Sequence, residues 1–180
     1  INENDLFLNT NSNFNNKIQF KVAFQNNISA FKRDLNFEIS KVLISDLMKG
    51  NMSFSKRFGK ASFTTIPKWF SEGAARYLAY GWDIEMDNIL RDYFLLTDQK
   101  KIKNINNNQS EYIGQSMGNY ISIQYGKSNI SNILNLSKIS RSPERAISSA
   151  LGISFEDFII NGANYYSESI NNSFKNLKND

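Results

Sequence analysis

Residues 67–81 read PKWFSEGAARYLAYG. Pro67 suits the first turn of a helix, because its ring fixes φ and its missing N–H would have no intrahelical partner there. Helix-compatible residues continue to Tyr80, and Gly81 closes the run. Trp69, Phe70 and Tyr77 read as core aromatics of this helix. Gly73 reads as a place where another helix comes close.

Upstream, FEISKVLI (37–44) lies inside a longer helical pattern from Ile28 to Met48. Two stripes can be followed there: Phe31, Leu35, Glu38 and Val42 on one, and Phe37, Lys41, Ile44 and Met48 on its neighbour. Gly50 ends it as a C-cap, and the polar stretch NMSFSKRFGKASFTT (51–65) joins the two helices. Earlier still, Leu6-Phe7-Leu8 and KIQFKVAF (17–24) flank the Asn-rich NTNSNFNN (9–16). Ile18, Phe20, Val22 and Phe24 alternate with polar or small residues, so this region predicts a β-hairpin with one buried face.

Downstream, Asp83 predicts an N-cap for a helix over 84–96, followed by a polar loop over 97–110. A helix over 111–125 stops at Gly126, and a fifth covers about 129–138. Ser142-Pro143 places an N-cap before Pro at the first helical position, opening a helix to Leu151 with Gly152 as its cap. Ser154 and Asp157 form a capping-box pattern at the start of the last helix, which runs into the polar tail NNSFKNLKND (171–180). The fold class is α+β and mainly helical, a small N-terminal hairpin packed on a helical body, with no internal repeats.

At 180 residues, with 41% hydrophobic and 13% aromatic residues, the chain is one domain's worth of sequence with enough apolar material for a packed interior. Global disorder is excluded by that composition. The net charge of +4 arises from 21 basic and 17 acidic residues, scattered apart from KRFGK (56–60) and KKIK (100–103). That pattern describes a solvated surface, not a phosphate-tracking groove, and argues against nucleic-acid binding. No apolar run approaches the ~20 residues of a membrane-spanning helix. The opening INEND predicts a mature or excised fragment whose targeting signal is not visible.

The chain contains neither Cys nor His. This removes disulfides, the usual zinc ligands, the usual general base and every Ser-His or Cys-His nucleophile pair. SFSK (53–56) matches an SxxK spacing, but no SDN or KTG element supports it.

FEISK and PKWFSEGAARYLAYG together resemble the peptidase MA-like domain of gluzincin metallopeptidases. In that family a helix carrying HExxH is followed by a second helix with Pro, an aromatic, a Glu-Gly pair and Ala-x-Tyr, here Pro67, Trp69, Glu72, Gly73, Ala75 and Tyr77. The continuation, WDIEMDNILRDYF (82–94), YIGQSMGNYISIQYG (112–126) and SRSPERAISSALGISFEDF (140–158), is similar to members that precede Tol-type β-propellers in bacterial cell-envelope proteins. The resemblance implies a domain over 17–170, after an N-terminal strand and loop at 1–16, with a polar tail at 171–180. It also implies a location in the cell envelope or periplasm.

Carried over position by position, Phe37 and Lys41 stand where two His ligands would be. Glu38 takes the place of the general base, and Glu72 that of the third ligand. Residues at i and i+4 share a helix face, which is why such a helix places its ligands at that spacing. With two of three ligands replaced, the open three-ligand site of catalytic zinc cannot be assembled. The expectation is therefore a catalytically inactive pseudopeptidase with no metal, no cofactor and no catalytic residue, Glu38 being a vestigial base position. A Lys41–Glu72 ion pair between the two helices would replace part of the lost metal charge, and Phe37 would fill the emptied pocket.

The expected work is binding of a protein or extended peptide, or scaffolding within an envelope complex. Phe20, Val22, Phe37, Glu38, Trp69, Glu72 and Arg76 edge the candidate cleft between the hairpin strand and the two helices. Glu38 also reads as an ordinary helix carboxylate paired with a neighbouring Lys or Arg. Two other functions stay open: a hydrolase with an unconventional carboxylate-based metal site, and a purely structural interdomain module.

Overall fold

The computed structural model describes residues 22–24, 26–49, 66–96 and 110–177. Among them are seven helices: α1 (Ile28–Lys49), α2 (Lys68–Tyr80), α3 (Ile84–Leu96), α4 (Ser110–Gln124), α5 (Ser128–Ser140), α6 (Pro143–Leu151) and α7 (Phe155–Leu177). The fold is mainly helical, and no strand occurs among the described residues. Most of the expected hairpin, Phe20 included, lies outside them. Its described part, Val22–Phe24, is not in a strand, although the Val22 side chain is buried.

The helix boundaries follow local chemistry. Asn27 opens α1, its Oδ1 accepting from the N–H groups of Ser29 (2.9 Å) and Ala30 (3.1 Å). Asp83 caps α3 by accepting from Met86 N at 3.0 Å. Ser142 caps α6 by accepting from Arg145 N, with Pro143 at the first helical position. Ser154 accepts from Asp157 N at 3.0 Å and donates to the Asp157 carboxylate at 2.7 Å, which opens α7. Pro67 stands one residue outside α2, as its N-cap with extended ψ, and does not occupy the first turn.

Gly152 ends α6 at φ +71°, its N–H reaching Ser148 O. Arg141 takes the same left-handed role after α5 at φ 56°, a position where a side chain is tolerated at some cost.

Helix α4 is the centre of the described body, packing most extensively on α2 and also on α3 and α5, while α1 packs on α2 and α5. Most of its side chains are buried, including the polar Ser110, Gln115, Ser116 and Asn119. Ser116 and Asn119, like Gln115 described below, can stay inside because they are paired. Ser116 Oγ donates to Ile113 O at 2.7 Å, and Asn119 Nδ2 donates to the Tyr166 hydroxyl at 3.0 Å. That hydroxyl in turn donates to Ser116 O at 2.9 Å.

Around α4 the core gathers Ile44, Met48, Trp69, Phe70, Ile113, Met117, Tyr120, Ile147, Phe158 and Tyr166. Phe158 and Ile147 are fully buried, each contributing about 1.5–3 kcal/mol by leaving water.

Helices α2 and α4 meet through glycine. A Cβ on Gly73 would stand 2.4 Å from Gly114 Cα, and one on Gly114 would stand 1.8 Å from the Trp69 carbonyl oxygen. Gly118, one turn further along α4, lies under the Tyr77 ring. Only residues without a side chain let the two backbones come this close.

Candidate functional site

The α1–α2 seam brings Phe37 against Tyr80 and Arg76, with Tyr112 of α4 beside them. Ile44 and Met48 of the second α1 stripe are buried against the core, while Phe37 and Lys41 on the same stripe are half-buried. Phe37 packs against that core and lies 5.4 Å, ring to ring, from Tyr80 of α2. The seam at this level is thus lined by aromatic surface from both helices.

The expected Lys41–Glu72 ion pair does not form. Lys41 Nζ instead donates to both carboxylate oxygens of Glu38, at 2.8 and 3.1 Å, and sits 5.0 Å above the Phe37 ring. Glu72 is matched by Lys68, four residues earlier on its own helix, at 3.6 Å. Lys68 also lies 3.5 Å from Glu111 of α4. The reason is reach: partners three or four residues apart on one helix are already neighbours, whereas a pair across two helices must hold both long side chains against their entropy. Glu38 is thus paired with a neighbouring Lys on its own helix.

Trp69 lies outside the Phe37 and Arg76 ring contacts of the α1–α2 seam and lines an apolar pocket between α2, α4, α5 and α6, with Phe70, Tyr77, Ile133 and Ile147. It is buried, stacked on Phe155 at 5.8 Å and edge-on to Phe70 at 5.6 Å. Phe37 and Arg76 meet across α1 and α2 and Glu38 lies near enough to Tyr80 to act on its phenol, whereas the partner of Glu72 is on its own helix. Among the described residues no three His, Cys, Asp or Glu side chains converge as a metal-holding group.

Arg76 has the most specific surroundings of these residues. Its guanidinium carbon lies 4.3 Å from the ring centre of Tyr112 on α4, 5.2 Å from Tyr80 and 5.8 Å from Phe37. Its Nε donates to Gln115 Oε1 at 3.0 Å, and Gln115 Nε2 donates to the carbonyl of Gly81 at 2.9 Å. Gln115 is 1% exposed, so this amide is a buried strut that joins the end of α2, the Arg76 side chain and α4. Arg33 of α1 lies 5.1 Å from the other participant, the Tyr80 ring. Burial, with Asp34 adding to it, pushes the Tyr80 phenol up from its ordinary value despite the opposing pull of Arg76 and Arg33.

The sequence reading identified Arg76 but not its partners. Gln115 stood inside a helix with no visible task. The Gly114-x-x-x-Gly118 spacing was the signal that α4 is a close-packing face, and hence that Gln115 and Tyr112 border α2.

A second region, between α3, α4 and α7, forms an apolar depression lined by Leu90, Ile113, Met117, Phe158 and Ala163, with Tyr166 beside them. The Tyr166 hydroxyl there is already engaged by Asn119 and Ser116, so the depression offers packing surface and little chemistry.

No protein-family model, curated protein or solved structure matches this chain. No described helix is long and apolar enough to cross a membrane.

Proposed function

We propose that this chain is a non-catalytic, peptidase MA-like module that works by binding a protein or extended peptide, as part of a cell-envelope protein or complex. The observation that carries the proposal is the double hydrogen bond from Lys41 to Glu38. A general base must offer a free carboxylate to the water it activates, and here both oxygens of Glu38 face an ammonium on the same helix. Phe37, at a former ligand position, supplies ring surface to Tyr80 and Arg76 where a metal would need a donor atom.

The proposal is tested by metal analysis of protein purified without chelator, together with a peptide titration followed by backbone amide shifts. Stoichiometric zinc overturns the non-catalytic reading. Amides of 37–77 that stay unmoved by peptide overturn the binding reading.

The aromatic seam between Phe37 and Tyr80 supports a second reading, a structural interdomain module. In that case truncation of neighbouring domains, and not peptide, would perturb the same amides.

A further inference from the structure

We infer that the Arg76 guanidinium is a prepared receptor for a carboxylate group carried by the partner. The inference rests on the partner-binding reading above and names the chemistry that the α1–α2–α4 seam would recognise.

Three observations carry it. First, Arg76 is held in place before any ligand arrives: the buried Gln115 amide fixes Nε at 3.0 Å, and the rings of Tyr112, Tyr80 and Phe37 surround the guanidinium plane. Order already present need not be imposed on binding, which lowers the entropic cost of association.

Second, the charge is not neutralised. Among the described residues no carboxylate stands within ion-pair distance of Arg76. Glu38 is committed to Lys41 and Glu72 to Lys68, and Asp34, whose charge reaches Tyr80, is not within ion-pair distance of Arg76. Third, the hydrogen bond Arg76 makes among the described residues uses Nε, so both terminal nitrogens keep their donors with respect to those residues, and neither is a buried atom lacking a partner. A half-buried guanidinium with two open N–H groups is the fork that matches a planar carboxylate.

A singly charged carboxylate is favoured over a phosphate dianion because, among the described residues, the basic neighbours of Arg76 on α1 have carboxylates of their own. Lys41 is held by Glu38, and Arg33 lies 3.8 Å from Asp83 and 3.9 Å from Glu85. The carboxylate has two sources, the C-terminus of a peptide or an Asp or Glu side chain.

The test begins with sodium acetate, read at the Arg76 Nε–H resonance, which the bond to Gln115 shields from exchange. Acetate is expected to move this signal saturably, while chloride at equal ionic strength leaves it in place. The variant R76K, checked for an unchanged circular dichroism spectrum, is expected to weaken acetate binding about 10-fold, since an ammonium keeps the charge and loses the fork. Acetate behaving like chloride overturns the inference, and so does inorganic phosphate binding more tightly than acetate.

Peptides then separate the sources: acetyl-GAVFL with a free C-terminus, the same peptide amidated, and amidated acetyl-GAEFL. Tighter binding of the free acid assigns the site to a chain terminus, and tighter binding of the Glu peptide assigns it to a side chain. Equal binding of all three overturns the role of Arg76 and leaves partner binding standing. An acetate response with no peptide bound keeps the carboxylate site and overturns the peptide-binding reading.

Discussion

Gly73 and Gly114 touch backbone to backbone where α2 crosses α4, so that a Cβ on either one meets main-chain atoms of the other helix. Main chain cannot swing aside as a side chain can, so the helices themselves must part.

Gly114→Ala is therefore expected to destabilise at or above the upper end of the roughly 1–3 kcal/mol typical of overpacking, exceeding the gain of about 1 kcal/mol that alanine brings to a helix. Gly73→Ala should cost somewhat less, and Gly118→Ala least, because the nearest atoms to its added methyl belong to the Tyr77 side chain and not to main chain. Urea unfolding of the three variants checks the order. Equal stabilities would mean that α2 and α4 are not in close contact.

Replacing Gln115 by Leu keeps the volume and removes both ends of the strut. Arg76 Nε and the Gly81 carbonyl lose their partners, so the variant should lose about 1–3 kcal/mol. The Arg76 Nε–H signal should also broaden through faster exchange with water. A sharp, unshifted signal in Gln115→Leu would show that the aromatic rings alone hold the guanidinium.

A double-mutant cycle separates the pair that forms from the pair the sequence suggested. Lys41→Met with Glu38→Gln should show a coupling of about 0.3–0.5 kcal/mol, the size of a partly exposed pair on one helix. Lys41→Met with Glu72→Gln should be additive within error. Coupling in the second cycle and none in the first would reverse the assignment.

Alkaline pH should loosen the core at its tyrosines. Burial, with Tyr125 adding to it, pushes the Tyr120 phenol up to about 12, and burial likewise raises Tyr166. A pKa higher in the folded than in the unfolded chain means the unfolded state releases its proton first as pH rises. The contribution is complete below pH 10, the ordinary value, and is lost as pH climbs from there through about 12. Denaturant midpoints that fall over this range, with phenolate absorbance appearing alongside unfolding, would agree. Phenolate formation by Tyr120 at pH 10 in the intact fold would contradict it.

Tyr166→Phe isolates the hydrogen-bonded link from α4 to α7. Asn119 Nδ2 and Ser116 O would both lose their partner in a buried place, for an expected cost of about 1–3 kcal/mol. The ring stays to stack on Trp82 at 5.2 Å, so a larger loss would point to rearrangement beyond the two bonds.

The sequence by itself located the described helices and several of their caps, though it set Pro67 one residue too far into its helix. Asp83, Ser142-Pro143, Gly152 and the Ser154–Asp157 pair act within one turn of chain, so their effect follows from neighbours already adjacent in sequence. Composition alone also removed His and Cys chemistry. Tertiary structure decided the partners. Lys41 had Glu38 three residues away and Glu72 on another helix, and only the placed helices show that the local carboxylate wins.

Likewise Gln115, Tyr112 and Arg76 lie 39 or fewer residues apart in the chain, with nothing in the local pattern linking them. They meet because Gly73 and Gly114 let α2 and α4 approach until side chains from both fill the same space. Local capping depends on spacing along the chain, whereas the surroundings of a charge depend on which helix faces cross, and that is settled by the packing of the whole core.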